Sequence, residues 1–290
     1  MNESKYLSPK TTEEAVSLIS RHKAKAKIIA GGTDLVPQMK KGEVSPQVVV
    51  SISGVSDLNY ISYDQATGLR LGTLIPISAI ESSPIIKSKF PMLAEAAGTL
   101  GSPVIRQRAT IGGNLCNAAP SADTAPALLV LGAKMKLVST KGERLIPIED
   151  FFTGPGKTVL KSGEMLTEIQ IPNMPPQSGA AYVKQKRRLG ADLAVVGVAT
   201  LVVKENTLLK DVKIALGAVA PTPIRVKKAE AILKGKNPNE KLLEEAGQAA
   251  SAESKPIDDA RSTADYRRQM VAVLTRRAVA QAIEQVKLEV

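Results

Sequence analysis

Two short stretches hold the residue types able to do chemistry without a side-chain acid or base. One is Ala109-Thr110-Ile111-Gly112-Gly113-Asn114-Leu115-Cys116-Asn117, running on through Ala118-Ala119-Pro120-Ser121-Ala122-Asp123-Thr124. The other lies upstream: Lys27-Ile28-Ile29-Ala30-Gly31-Gly32-Thr33-Asp34-Leu35, an apolar strand running straight into paired glycines and a polar pair. Glycine admits φ > 0 and lets the backbone approach a ligand with no Cβ in the way. Successive amides in such a turn converge on an anion, and Thr110 and Asn114 add a hydroxyl and an amide. An isolated Gly-Gly is most simply a tight turn. Two such loops on separate segments can grip one diphosphate from two sides, so the chemistry on offer is the holding of a phosphate-bearing cofactor.

The rest of the composition narrows the classes. A chain of 290 residues carries a prior of about two domains and buries ample core without staples. Hydrophobic residues make up 43% and aromatics only 3%, with no Trp, so the core must be aliphatic. The single cysteine, Cys116, excludes an intramolecular disulfide framework, a cysteine-built zinc site and an iron–sulfur cluster ligated by this chain alone. It reads as a small buried residue near the loop rather than a redox thiol. The only histidine, His22, reads as a solvated residue after the first helix and leaves little for a metal site or a Ser-His pair. No catalytic side chain and no metal ligand is assigned. No apolar run reaches the ~20 residues that span a bilayer, and Met1-Asn2-Glu3-Ser4-Lys5 lacks an apolar signal core, so the cytoplasm is the expected compartment. The net charge of +11 is scattered among acids, with few aromatics for base stacking; it reads as a lysine-rich surface, or one that meets acidic partner subunits, rather than as a nucleic-acid site.

The elements that must position these loops are legible in outline. Thr11 and Glu14 have capping-box spacing before a helix whose Ala15, Leu18 and Ile19 share a face. Lys27 to Ala30 is a short strand, Asp34 to Lys40 a turn of helix, and Gln47 to Ile52 a buried strand, so residues 5–55 form a β-α-β unit with parallel strands. Residues 56–75 read as a hairpin turning at Asp64 to Gly68. Ile77 to Glu81 and Pro91 to Leu100 are helical. Val104 to Arg108 leads extended into the second glycine loop. Ser121 or Asp123 caps a helix from Ala125 to Leu131. Strands follow at Ala133 to Val138, Arg144 to Ile148 and Met165 to Ile171. Pro172 to Gly179, with prolines at 172, 175 and 176, is the linker. Beyond it come strands at Ala180 to Lys186, Leu193 to Val203 and Leu208 to Val219, then helices at Ile224 to Leu233, Glu240 to Ala250 and Thr263 to Val286.

Taken together, these features resemble the FAD-binding (medium) subunits of the molybdenum hydroxylases, the carbon monoxide dehydrogenase and xanthine dehydrogenase type. The resemblance covers the whole chain. It is carried by Ala30-Gly31-Gly32-Thr33-Asp34, by Thr110-Ile111-Gly112-Gly113-Asn114 with Asp123 behind it, by Gly163-Glu164-Met165-Leu166-Thr167-Glu168-Ile169-Gln170-Ile171-Pro172, and by Lys184-Gln185-Lys186-Arg187-Arg188 leading to Asp192-Leu193-Ala194-Val195-Val196-Gly197. Each is ordinary alone; all of them in this order are specific.

The resemblance implies an α+β fold: a two-part FAD-binding domain of the vanillyl-alcohol-oxidase type over residues 1–176 (a β-α-β part at 1–55, a mainly antiparallel part at 56–176), then a small antiparallel sheet plus helices at 177–290 for subunit docking. It implies FAD as the cofactor. Its diphosphate would be held by the backbone of Ala30, Gly31, Gly32, Thr33 and Asp34 and of Thr110, Ile111, Gly112, Gly113 and Asn114, with the side chains of Thr33, Thr110 and Asn114. Asp123 would bind a ribose or adenine edge, Leu166 would lie against the cofactor, and Lys186 or Arg188 would offer positive charge to the flavin ring. The implied partners are a small subunit with two iron–sulfur clusters, a large molybdenum-pterin subunit that oxidises the substrate, and NAD or another final acceptor.

Thr33-Asp34 follows the first Gly-Gly as in many xanthine-dehydrogenase-like members, and Asp34 is expected to point away from a diphosphate and cap the following helix. The cysteine-rich insertion of the benzoyl-CoA reductase relatives is missing, and no second nucleotide motif marks an NAD site. A self-sufficient flavin-dependent oxidoreductase of the same fold is the alternative; it needs an acid or base over the flavin, for which the C-terminal part offers no obvious candidate.

Overall fold

Helices and strands interleave along the whole of the computed structural model, which describes residues 4–188 and 190–286. In chain order they are β1 (Lys5–Leu7), α1 (Thr12–His22), β2 (Ala26–Ile29), α2 (Leu35–Lys40), β3 (Val48–Ser51), β4 (Ile61–Asp64), β5 (Gly68–Gly72), α3 (Ile77–Ser82), α4 (Pro84–Lys89), α5 (Pro91–Gly98), α6 (Pro103–Arg108), α7 (Ile111–Asn117), α8 (Thr124–Val130), β6 (Lys134–Ser139), β7 (Gly142–Pro147), β8 (Phe152–Gly154), β9 (Lys157–Thr158), β10 (Met165–Ile171), β11 (Ser178–Gln185), β12 (Val196–Glu205), β13 (Leu208–Gly217), β14 (Ile224–Arg225), α9 (Lys227–Leu233), α10 (Glu240–Glu253) and α11 (Ala264–Glu284). The fold is α+β. It divides into two compact units: Met1–Ala79, Pro103–Ala118 and Ala133–Pro172 form the first, and Ile80–Ser102, Ala119–Gly132 and Asn173–Val290 the second. This differs from a single cut at 176/177. The physical reason is that α5 packs on β11, and α8 on β12 and β13, so two earlier segments share the core of the later one.

The first unit opens with the expected parallel β-α-β arrangement, in strand order β1-β3-β2. Thr11 caps α1 by accepting from the Glu14 amide at 3.2 Å, and the Glu14 carboxylate accepts from the Lys10 amide at 2.8 Å. The capping box is therefore present with its return bond shifted one residue outward. Ala15, Val16 and Ile19 of α1 pack on Val48 and Val50 of β3, with Ile52, Val55, Leu58, Leu74 and Met165 completing that core. β3 is buried along its length, which is why its sequence is a continuous apolar run rather than an alternating one.

The second sheet of this unit is antiparallel, in order β4-β5-β10-β6-β7. Its first hairpin turns where expected: the Asp64 carboxylate accepts from the amides of Ala66 and Thr67, and Gly68 takes φ 88°. Leu69, Leu71, Ile169 and Ile171 on the central strands are fully buried, each contributing on the order of 1.5–3 kcal/mol to folding.

The second unit is built on an antiparallel sheet, β11-β12-β13-β14. Its core joins Val196, Val198 and Val202 of β12 with Val271, Leu274, Ala278 and Val279 of α11 and with Leu242 and Ala246 of α10. The helix expected from Ile224 begins later, because Ile224 and Arg225 first pair with Leu216 and Ala215 as an edge strand.

Two expectations near the glycine loops are corrected. Residues 103–108 form α6, not an extended lead-in. The Gly112-Gly113 segment is not a loop: it lies in the first turn of α7, and neither glycine has a positive φ. Glycine is a poor helix former, so this helix depends on its surroundings. Thr110 caps it, accepting from the Gly113 amide at 3.0 Å. Gly112 is demanded by packing, since a Cβ there would lie 2.5 Å from Thr73 Cβ and 2.8 Å from the Thr73 carbonyl oxygen.

Candidate functional site

In the first unit the two glycine segments meet. Gly31 follows β2, and a Cβ on it would stand 1.8 Å from the Arg108 carbonyl oxygen and 3.2 Å from Ala109 Cα. The backbone of the first loop therefore lies directly on the chain entering α7. Gly32 takes φ 75°, the left-handed region in which glycine is at ease. Among the described residues, the amides of Gly31, Gly32, Thr33 and Asp34 have no hydrogen-bond partner in the protein; the ladder resumes with Val36 N–H donating to the Gly32 carbonyl at 3.1 Å. Successive free amides around a left-handed residue make a concave donor set of the kind that takes an anion.

The second segment is organised differently. Ile111 N–H donates to the Ile75 carbonyl and Gly112 N–H to the Thr73 carbonyl, both at 3.0 Å, and Asn114 N–H donates to the Thr110 carbonyl at 2.9 Å. With Gly113 N–H committed to the Thr110 hydroxyl, these amides are all engaged within the protein. The second segment, expected to hold the diphosphate through backbone amides as the first does, has the amides of Ile111 to Asn114 engaged; the free donors lie on the first loop, and α7 supplies the wall behind them. Thr110, whose oxygen accepts from Gly113, keeps its hydroxyl hydrogen as a donor.

Asp34 holds the N-cap position of α2, but its side chain makes no capping bond, so the capping expectation fails. Desolvation raises its pKa, with the Thr33 hydroxyl pulling the other way. Leu166 is 3% exposed on β10, beside the bulge between Leu166 and Glu168, and α7 packs against that strand. Cys116 is half-buried, and desolvation of its thiol pushes its pKa up to about 12, which leaves it a thiol at neutral pH.

Asp123 and Lys186 belong to the second unit. Asp123 precedes α8 but makes no capping bond, and Ser121 is not the cap residue either. The Asp123 carboxylate is instead engaged within the fold: Tyr182 Oη donates to Oδ1 at 3.0 Å and Lys184 Nζ to Oδ2 at 2.9 Å, while Lys184 Nζ also donates to the Thr99 carbonyl at 2.9 Å. The Lys184 and Asp123 side chains are 2% and 3% exposed. Burial raises the Asp123 pKa against the pull of Lys184, its hydrogen bonds and the nearby Lys186 charge. Burial, reinforced by the Asp123 charge, lifts the Tyr182 phenol well above its usual value. Lys186 stands just past the end of β11, half-buried, its Nζ donating to the Gly190 carbonyl at 3.3 Å. Arg188 is exposed and donates to the Ala191 carbonyl.

Lys184 and Tyr182 are the residues that reading the sequence missed. The signal was present: Tyr182 and Lys184 alternate along one strand and so share a face. Nothing in the order of residues says that this face meets Asp123.

The donor-rich first loop, walled by a capped glycine helix and carried on a parallel β-α-β arrangement, has the form expected of a phosphate-binding module of the dinucleotide-binding class. Comparison with known proteins agrees. Residues 2–174 match the family described as the FAD binding domain in molybdopterin dehydrogenase, and residues 180–282 match the CO dehydrogenase flavoprotein C-terminal domain. The chain is 33% identical over 274 residues to the carbon monoxide dehydrogenase medium chain of Hydrogenophaga pseudoflava, covering 94% of this chain and 95% of that one. It is 30% identical to the xanthine dehydrogenase FAD-binding subunit of Escherichia coli O157:H7, covering 94% of each. It is 32% identical to the glyceraldehyde dehydrogenase medium chain of Sulfolobus acidocaldarius, covering 94% and 96%. The solved carbon monoxide dehydrogenase of Hydrogenophaga pseudoflava superposes with a TM-score of 0.95 at 33% identity, over 98% of this chain and 99% of that one. Quinoline 2-oxidoreductase from Pseudomonas putida 86 gives 0.91 at 27% identity, over 97% of each. The chain belongs to the FAD-binding medium subunits of the molybdenum hydroxylase family, oxidoreductase subunits of the carbon monoxide and xanthine dehydrogenase type.

Proposed function

We propose that the first unit holds the FAD diphosphate on the free amides of Gly31, Gly32, Thr33 and Asp34, following Ala30, and that this chain relays electrons for a substrate oxidised on another subunit. The run of unsatisfied amides carries the proposal, because two adjacent phosphates need several convergent donors and the loop has them to spare. Thr33, Thr110 and Asn114 add side-chain groups, Ile111, Gly112 and Gly113 form the wall, and Leu166 supplies apolar contact. The flavin supplies the ability to exchange electrons either singly or in pairs. The positive charge that the resemblance assigns to Lys186 would stabilise a reduced, anionic ring. Asp123 fits direct ribose contact less well, since Tyr182 and Lys184 already engage both of its oxygens; its proposed part is to hold the end of β11.

The electrons would come from the iron–sulfur clusters of a small partner subunit, the substrate would be oxidised on a large molybdenum-pterin subunit, and NAD or another acceptor would receive the electrons. Relatives named for carbon monoxide, xanthine and glyceraldehyde are 33%, 30% and 32% identical to this chain over nearly its full length. One chain serving such different substrates favours a relay over a self-sufficient enzyme. No described helix is long and apolar enough to cross a membrane, and we place the complex in the cytoplasm.

Co-expression with candidate large and small subunits tests this. The expected result is a yellow-brown complex in which substrate bleaches the flavin band only when the iron–sulfur subunit is present. A chain that stays colourless with excess FAD, or a flavin reduced by substrate in the isolated chain, would overturn it.

A further inference from the structure

We propose that Glu168 and Tyr60 are positioning residues for the FAD-binding loop, a clamp that pins the β10 bulge to which α7 is tied; this rests on the assignment of FAD to the first unit. The bulge is explicit in the pairing of β10 with β6. Leu166 faces Leu137 and Glu168 faces Lys136, so Thr167 is an extra residue. On an unbroken strand, residues two apart share a face. Here the bulge puts Leu166 on the buried apolar face with Leu137, Met135 and Ile169, and turns Glu168 to the other. Without it Glu168 would oppose Met135, and a carboxylate would enter an apolar layer.

Glu168 is itself buried, and its carboxylate is held on that face. Tyr60 Oη donates to Oε2, and Gln170 Nε2 donates to Oε1 at 2.6 Å. The residue opposite Glu168 on β5 is Gly72, where a Cβ would lie 3.0 Å from Tyr60 Cδ1 and 2.3 Å from the Leu58 carbonyl oxygen. The missing side chain leaves room for the Tyr60 ring to reach across β5. Burial, and then the hydrogen bond and charge of Glu168, raise the Tyr60 pKa, so the phenol remains a donor at neutral pH. Two hydrogen bonds carry the bulge to the wall of the site. Thr73 N–H donates to the Thr167 carbonyl at 3.3 Å, and the Thr73 carbonyl accepts from Gly112 N–H of α7 at 3.0 Å. The chain entering α7 supports the first loop in turn, since Gly31 lies against the Arg108 carbonyl. A contiguous set of bonds of this kind can couple a clamp to a site it does not touch.

The decisive comparison sets Y60F and E168A against E168Q, which keeps an acceptor for Tyr60, and against T11A, which loses the α1 cap instead. Each full-length apo chain is titrated with FAD by flavin fluorescence, melted without FAD, and followed by amide hydrogen exchange at Gly112 and Gly113. Y60F and E168A are expected to bind FAD about three- to tenfold more weakly, the size of effect found along coupled networks, and to exchange faster in α7. E168Q is expected to recover most of the affinity. T11A is expected to melt lower while keeping its affinity and its α7 exchange. Unchanged affinity and exchange in Y60F overturns the inference whatever E168A does, as does an equal loss of affinity in T11A or an E168Q no better than E168A. A wild-type chain that fails to bind FAD removes the underlying assignment as well; wild-type binding with an indifferent Y60F removes this inference alone.

Discussion

A Cβ on Gly31 would lie 1.8 Å from the carbonyl oxygen of Arg108, far inside any tolerated contact. This links the two glycine segments: the first loop keeps its free amides in place only because its backbone rests on the chain that enters α7. The obstructing atom is backbone, so no side chain can swing aside. G31A is therefore expected to cost more than the ~1–3 kcal/mol of ordinary overpacking and to reduce FAD affinity at least about tenfold. T33A, which removes one side-chain donor and leaves the amides intact, is expected to cost less than G31A. Flavin fluorescence titration of both variants checks the order, and a T33A weaker than G31A contradicts the leading role of the amides.

Thr110 has a double duty that can be separated. Its oxygen accepts from Gly113 N–H and so begins a helix containing two consecutive glycines. T110V is expected to destabilise the apo chain by about 0.5–2 kcal/mol, the usual cost of a lost cap, and T110S to restore most of it. Urea melts of the two variants test this; equal midpoints would show that the bonds to Ile75 and Thr73 alone suffice to hold α7.

The part of the fold legible in the sequence was the part governed by local rules. The Thr11 cap, the β-α-β order and the Asp64 turn each announce themselves within a few residues. The presence of two glycine-rich segments was legible too, but not their division of labour. That depends on Thr73 and Ile75 reaching across to the amides of Gly112 and Ile111, contacts from a distant strand end that override the poor helix propensity of Gly-Gly. The grouping of residues 80–102 and 119–132 with the C-terminal sheet was hidden for the same reason, since α5 and α8 look alike whichever sheet they cover. The sequence points to Lys186 or Arg188 as the charge near the flavin, and only packing shows that Lys184 is the lysine buried against Asp123.

That buried pair gives a third prediction. With the Lys184 and Asp123 side chains 2% and 3% exposed, removing one charge strands the other in a poorly solvated site. K184M is expected to destabilise the chain by about 3–5 kcal/mol. D123N, which keeps one acceptor for Lys184 and can donate its NH2 to the Tyr182 oxygen, is expected to cost less. Replacing both partners with apolar residues of similar volume is expected to recover most of the loss, because the isolated charge is then gone. A double-mutant cycle measured by urea unfolding decides this. Simple additivity of the two single changes would mean that the 2.9 Å contact contributes little coupling.

Acid should expose a second electrostatic device in the same unit. Arg267 is 3% exposed and ties three places together, donating to the carbonyls of Val195 and Ala218 and to the Asp259 carboxylate at 3.0, 2.8 and 2.7 Å. Desolvation alone would raise the Asp259 pKa, but the Arg261 amide and the Arg267 and Arg261 guanidiniums outweigh it and hold it at about 2, below its ordinary 3.8. A carboxylate depressed in the folded state adds stability that is fully present above the unfolded pKa and is lost as pH falls through the folded one. The stability difference between wild type and D259N is therefore expected to be largest above about pH 4 and to shrink progressively towards pH 2, the window set by those two values. Unfolding midpoints in urea at pH steps across that window measure it. A difference independent of pH would show that Asp259 acts through its neutral hydrogen bonds alone, and that Arg267 holds the start of β12 and the end of β13 without help from its charge.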